Sequence, residues 1–353
     1  MKKKYAMLIL LLSLAMGCTQ KKVVKLNQVA DGKYDSEFPA APVSKAINRA
    51  VQSVFLVNSL HFYRGYDFDF DEKITIDDVK SGRFPGREDT PIIYERPSAG
   101  SATLIYNRNG KMAFLTCAHT VNADDTLITY YKIGENKTEY ISTMLILVKQ
   151  QINLVSVPGK EDVEILAVDK KKDIAVIGKQ VSPDKAKGYF VFPYPVGNAK
   201  ELDWGTLVYV IGYPYGKKMV SQALVSSPNY DWDHSFLIDA TLYRGVSGAV
   251  VMALRDGPPH FELVGIARAL SAEALYYLTP EDSYKKKALP VRREYEGKLY
   301  VEPHLKVAYG LTFTVSSEAI RDFFERNKDV FEDKGYFFDS EYFRSGNSHK
   351  PGF

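Results

Sequence analysis

The sequence predicts an all-β fold of the barrel or sandwich kind, and three observations carry that expectation. From Ala102 onward, short apolar runs alternate with turn signals, and no long helical period separates them as βαβ units would require. The runs ATLIYNR and MAFLTCA flank Asn109-Gly110, a strong hairpin signal. With 353 residues and 45% apolar content, the chain has the length for one large domain or two small ones, and enough apolar surface to bury a core.

The chain opens with MKKKYAMLILLLSLAMGCTQ. Three lysines, an apolar run and small residues ahead of a cysteine read as a secretory signal over residues 1–17. The apolar run, roughly 12 residues, is too short to span a bilayer. LAMGC resembles a bacterial lipobox, with Cys18 as the lipidated residue, although Ala15 stands where that pattern prefers Leu. The resemblance implies a lipid anchor in the bacterial cell envelope. Thr19 rather than Asp after the cysteine implies the outer membrane facing the periplasm in a two-membrane cell, and otherwise the outer face of the plasma membrane. An ordinary signal peptide with a chance cysteine is the alternative. The first 17 residues hold three of the 46 basic residues and no acid, so 43 basic residues face 43 acidic ones in the rest. No basic field remains to argue for nucleic acid.

Residues 18–40 are polar and read as a tether. Val43 to Ser59 reads as a short amphipathic helix leading into a strand. A mixed-charge insert follows over about 60–100. Its Asp67–Asp71 stretch resembles a calcium loop only loosely, and without the glycine-centred loop no metal is expected. After Ala102 come the strands YISTMLILV, DVEILAV, DIAVIG, TLVYVIGYP, MVSQALVS, SFLIDA, GAVVMAL, FELVGIA and GLTFTV. Ser271 to Tyr309 reads as a long solvated loop, or as a lid or partner site. Ser316 is a candidate N-cap for a closing helix with Ile320, Phe323 and Phe324 at helical spacing. Residues 331–353 form a tail.

Chemistry concentrates in RGVSGAVVM, Arg244 to Met252. Gly245 and Gly248 permit a sharp turn with open space above Ser247. The backbone N–H groups of Gly245 and Ser247 are candidates for an oxyanion hole. A plain Gly-Ser hairpin turn is the bland alternative. Upstream, AFLTCAHTV runs an apolar strand into His119, and KKDIAVIG opens one with Asp173. Asp162 and Asp169 are rivals to Asp173, but only Asp173 leads directly into an apolar run. His119, Asp173 and Ser247 follow in that order, 54 and 74 residues apart, one of three chain orders known for the Ser-His-Asp triad. Cys117 reads as a small buried hydrophobe, with a Cys117–His119 nucleophile as the sharper alternative. His234 lies in an acidic turn, DWDHSF, and no H-E-x-x-H spacing occurs.

These motifs resemble the trypsin-like serine proteases, and within them the bacterial HtrA/Deg group, over about Ala102 to Arg326. TCAHTV stands at the histidine turn, DIAV at the aspartate strand and VIGYPYG at an I-G-x-P-x-G turn. LIDATLYRGVSGAVV ends in the place of G-N-S-G-G, while ELVGIARA and GLTFTVSSEAI stand at the closing strands. The resemblance implies two six-stranded Greek-key β-barrels with a C-terminal helix, over a domain of residues 41–330. It implies a serine endopeptidase acting on polypeptide substrates through an acyl-enzyme, with no cofactor. Side-chain specificity would fall to Thr241, Ala267 and Arg268. A small apolar P1 residue fits Ala267, and an acidic one fits an inward Arg268. The chain departs from the pattern at Ala249, which replaces a glycine, and in leaving too few residues after the helix for a PDZ domain. A catalytically silent or latent module that binds proteins is the alternative function. A lipase is disfavoured, because G-V-S-G-A lacks the G-x-S-x-G elbow.

Overall fold

The computed structural model describes residues 30–82, 92–133, 136–157, 159, 162–240, 244–280 and 297–339. A helix α1 (Ser44–Val51) leads into β1 (Val54–Asp67). A short helix α2 (Ile76–Lys80) precedes β2 (Ile92–Arg108), β3 (Lys111–Thr116), helix α3 (Ala118–Val121), β4 (Thr126–Ile133), β5 (Asn136–Leu154), β6 (Glu164–Asp169) and β7 (Ile174–Gln180). Helix α4 (Pro183–Ala186) crosses to β8 (Leu207–Gly212), β9 (Met219–Ser227), β10 (Leu237–Ile238), β11 (Val250–Leu254), β12 (Phe261–Pro280) and β13 (Leu299–Ser316). Helices α5 (Ser317–Arg326) and α6 (Lys328–Asp333) close the chain.

The strands form two units. The second is a closed six-stranded barrel in the order β10-β13-β12-β11-β8-β9, as the double-barrel expectation requires. The first is a sheet of seven strands rather than six, in the order β4-β5-β1-β2-β3-β7-β6. Asn109 and Gly110 both take positive φ, 53° and 82°, and join β2 to β3 as the Asn-Gly signal predicts.

Apolar residues run without interruption through residues 112–115 of β3, 174–177 of β7, and along β8 and β11, because these strands are covered on both faces. On β7, Ala175 and Ile177 face the core of the first sheet, and Ile174 and Val176 face the layer between the units. On β11, Val251 and Ala253 fill the barrel, while Val250, Met252 and Leu254 face the same shared layer. Side chains alternate along a strand, so two buried faces demand a continuous apolar run. Ala113, Leu115 and Cys117 reach that layer from β3 and the residue just past it, and Ile320, Phe323 and Phe324 cap it from α5.

Four segments depart from the sequence expectation. The insert expected over about 60–100 is in large part paired strand, because β1 and β2 extend far beyond the core and pair from Val54–Thr103 to Gly65–Ile92. The loop expected over 271–309 is an outward continuation of β12 and β13, paired as far as Pro280–Leu299. The tether expected over 18–40 is docked from Tyr34, which bridges to Arg255 and donates a 2.6 Å hydrogen bond to Glu262. The tail expected from 331 begins as packed structure, with Phe331 and Tyr336 buried and Phe338 against them. Cys18 and the expected signal segment over residues 1–17 lie outside the described residues.

Candidate active site

His119 sits on α3, a single turn that follows β3 directly. Ala118, Thr120 and Val121 are buried, which leaves the His119 side chain, 48% exposed, facing outward. Thr116 fixes the entry to the turn by donating to the Ser101 carbonyl at 2.7 Å. Asp173 reaches the same place from the start of β7. Its backbone is left-handed, with φ 59°, a conformation that Asp tolerates better than most residues. Asp173 Oδ1 accepts the His119 backbone N–H at 2.9 Å, and Oδ2 meets His119 Nδ1 at 2.7 Å. Two contacts from one buried carboxylate fix both the position of the histidine and the plane of its ring. They also leave Nε2 as the nitrogen aimed at solvent.

Ser247 lies on the turn before β11, in the other unit. This turn is stitched to the first sheet. The Ser247 carbonyl accepts the Ser101 N–H at 2.7 Å, and Ser101 Oγ donates to the Gly245 carbonyl at 2.9 Å. Gly248 has φ 83°, and a Cβ there would stand 2.1 Å from the Ser101 carbonyl oxygen, so only glycine allows the approach. Gly248 N–H and the Cys117 thiol both donate to the Ala267 carbonyl, at 2.8 and 3.3 Å. The residue after Ser247 and the residue two before His119 therefore share one acceptor.

The oxyanion candidates are turned in a definite direction. The Arg244 carbonyl accepts the Tyr215 N–H at 2.8 Å. Peptide planarity then points the Gly245 N–H away from Tyr215. Among the described residues, the N–H groups of Gly245, Val246 and Ser247 have no acceptor, and Ser247 Oγ makes no hydrogen bond. A cleft of about 380 Å³ opens beside His119, walled by His61, Tyr63, Arg96, Asp124 and Lys170 among others.

Residues 100–266 match the family model for the trypsin-like peptidase domain. The matched stretch encloses His119, Asp173 and Ser247 and ends just before Ala267. No curated protein matches the chain. Among solved structures, the chain is similar to one described as the crystal structure of Deg5, with 14% identity and a TM-score of 0.36, covering 64% of this chain and 83% of that one.

Other sequence-predicted residues fall differently. Cys117 is fully buried, and burial first, then the Asp173 charge, pushes its thiol well above the ordinary range. A neutral buried thiol corrects the Cys117 nucleophile alternative. The same thiol, His119 and Asp173 present ligand atoms within 4.8 Å of one another, but the carboxylate is already committed to the imidazole. Asp169 is bound to Arg326 and the Lys172 N–H, away from His119. His234 is held by Asn229 at 2.8 Å on the surface. Ala267 is buried against the serine turn. Arg268 Nε lies 3.8 Å from Asp173 Oδ2. Thr241 lies outside the described residues. The sequence reading missed Ser101, whose hydroxyl donates to Gly245 and accepts the Tyr213 N–H at 2.9 Å. A serine in a small-residue strand carries no signal of that role.

Proposed function

We propose that the protein is a serine endopeptidase that hydrolyses polypeptides through His119, Asp173 and Ser247. The observation that supports this most strongly is the paired hold of Asp173 on the His119 backbone and ring. His119 Nε2 takes the proton from Ser247 Oγ as it attacks the scissile carbonyl, then gives it to the leaving amine. Asp173 keeps Nδ1 protonated and offsets the charge of the imidazolium. The oxyanion is bound by the free N–H groups of Gly245 and Ser247, and losing one such donor typically costs roughly 10²–10³ in turnover. The acyl-enzyme is then hydrolysed by water along the same proton path.

The reading extends to a lipid on Cys18 that anchors the enzyme at the bacterial cell surface or envelope, with unfolded or extended polypeptides as substrates. A small apolar P1 residue is favoured, since Arg268, the candidate anchor for an acidic one, is turned toward Asp173. The latent reading is supported by one feature, the absence of a hydrogen bond from Ser247 Oγ among the described residues. Contacts of this kind often tighten only when substrate binds.

The test is cleavage of an unfolded protein and of a peptide library by the parent, Ser247→Ala and His119→Ala. The proposal expects cleavage by the parent alone, mainly after small residues. Cleavage that survives Ser247→Ala contradicts it. Labelled palmitate incorporated by the parent and lost in Cys18→Ala tests the anchor.

A further inference from the structure

We infer that Arg268 is a positioning residue for the His119–Asp173 pair. The inference builds on the triad proposed above, and three observations meet in it.

The first is a β-bulge. On β12, Ala267 stands opposite Thr314 of β13, and Ala269 stands opposite Phe313. Two steps on β12 match one on β13, so Arg268 is the extra residue. A bulge bends its strand and re-aims a side chain that regular pairing would send elsewhere.

The second is where that side chain goes. Arg268 Nε lies 3.8 Å from Asp173 Oδ2, the same oxygen that holds His119 Nδ1. Asp173 is largely buried there, while Arg268 is 40% exposed. Oδ1 is fixed by the His119 backbone. Oδ2 is held by a ring whose charge changes twice in each turnover. A guanidinium beside Oδ2 gives that oxygen a partner whose charge never changes.

The third is the position of the preceding residue. The Ala267 carbonyl holds Gly248, next to Ser247, and Cys117, two before His119. The dipeptide Ala267-Arg268 thus touches all three segments that carry the triad, and its side chain completes the set at Asp173. An arginine acting as a substrate pocket wall has no need of the bulge that turns it to the carboxylate.

The test uses the full chain and the variants Arg268→Ala and Arg268→Lys. It reads three quantities: the rate of fluorophosphonate labelling, kcat and KM on matched peptides with Ala or Glu at P1, and the downfield proton resonance of His119 Nδ1–H. Because the contact is through space and partly exposed, Arg268→Ala is expected to lower kcat and labelling by about tenfold. KM stays within about twofold for both peptides, the resonance broadens, and Arg268→Lys restores most of the loss. A rise in KM for the Glu peptide alone, with kcat and the resonance unchanged, overturns the inference and makes Arg268 a pocket residue. An unlabelled parent defeats the triad proposal by itself. The resonance then still decides the inference, which stands if Arg268→Ala broadens it and falls if it does not.

Discussion

A left-handed backbone at Asp173 turns its carboxylate back toward the single helical turn that carries His119, and most of the site's geometry follows from that one residue. Asp173→Asn keeps the size and the fold but favours the wrong histidine tautomer. It is expected to reduce kcat by roughly 10⁴ while the melting temperature stays close to the parent's, checked by steady-state kinetics and calorimetry. Gly248→Ala tests the close approach of the serine turn. A methyl group at φ 83°, 2.1 Å from the Ser101 oxygen, forces the turn out of place. The expected cost is at least about 2 kcal/mol in urea unfolding, together with loss of activity. His119 and Asp173 were legible in the sequence because each stands at the end of an apolar run, and strand ends are where side chains reach a cleft. The aim of Arg268 was not legible. It depends on a bulge set by pairing with Phe313 and Thr314, more than forty positions away, and nothing local announces it.

Among the elements, α5 has the clearest cause and the clearest test. Ser316 accepts the Ala319 N–H at 3.1 Å and donates to the Asp233 carbonyl, so it caps the helix and ties it to a loop of the barrel. Ser316→Ala is expected to lower stability by about 1 kcal/mol or somewhat more in a urea titration, because both bonds go. A loss too small to measure would show that neither bond contributes to stability. The core strands were readable for a physical reason, since burial on two faces leaves a run with almost no polar residues. The extensions of β1, β2, β12 and β13 were hidden for the opposite reason. Beyond the core they carry mixed charge and scattered aromatics on exposed faces, as in Tyr94-Glu95-Arg96 or Tyr277-Leu278-Thr279, and hydrogen bonding to a neighbour strand leaves no such mark.

The whole molecule depends on how the two units meet, because the serine is on one and the histidine and aspartate are on the other. Besides the shared apolar layer, an ionic cluster joins them one residue before Asp173. Lys172 Nζ contacts Asp233 at 2.9 Å and Asp322 at 3.1 Å, and Arg326 contacts Asp169 and Asp322, each at 3.0 Å. Burial works to raise the Asp169 and Asp322 carboxyls. Hydrogen bonds and charge from Lys172 and Arg326 overcome it and hold both below the ordinary 3.8. A carboxyl lowered in the folded state stabilises the fold above its unfolded value and loses that contribution as pH falls through its folded value. Unfolding midpoints in urea are therefore expected to hold between about pH 5 and 7 and to fall below about pH 4, with a shallower fall in Asp322→Asn. These side chains are partly exposed, so each contributes no more than about 1 kcal/mol.

The most direct measurement of the central claim is fluorophosphonate labelling of the soluble form lacking residues 1–18, beside Ser247→Ala. The account predicts that the parent labels on Ser247 and the variant does not. A folded parent that fails to label would contradict it, and would leave the chain a binding module on a protease scaffold.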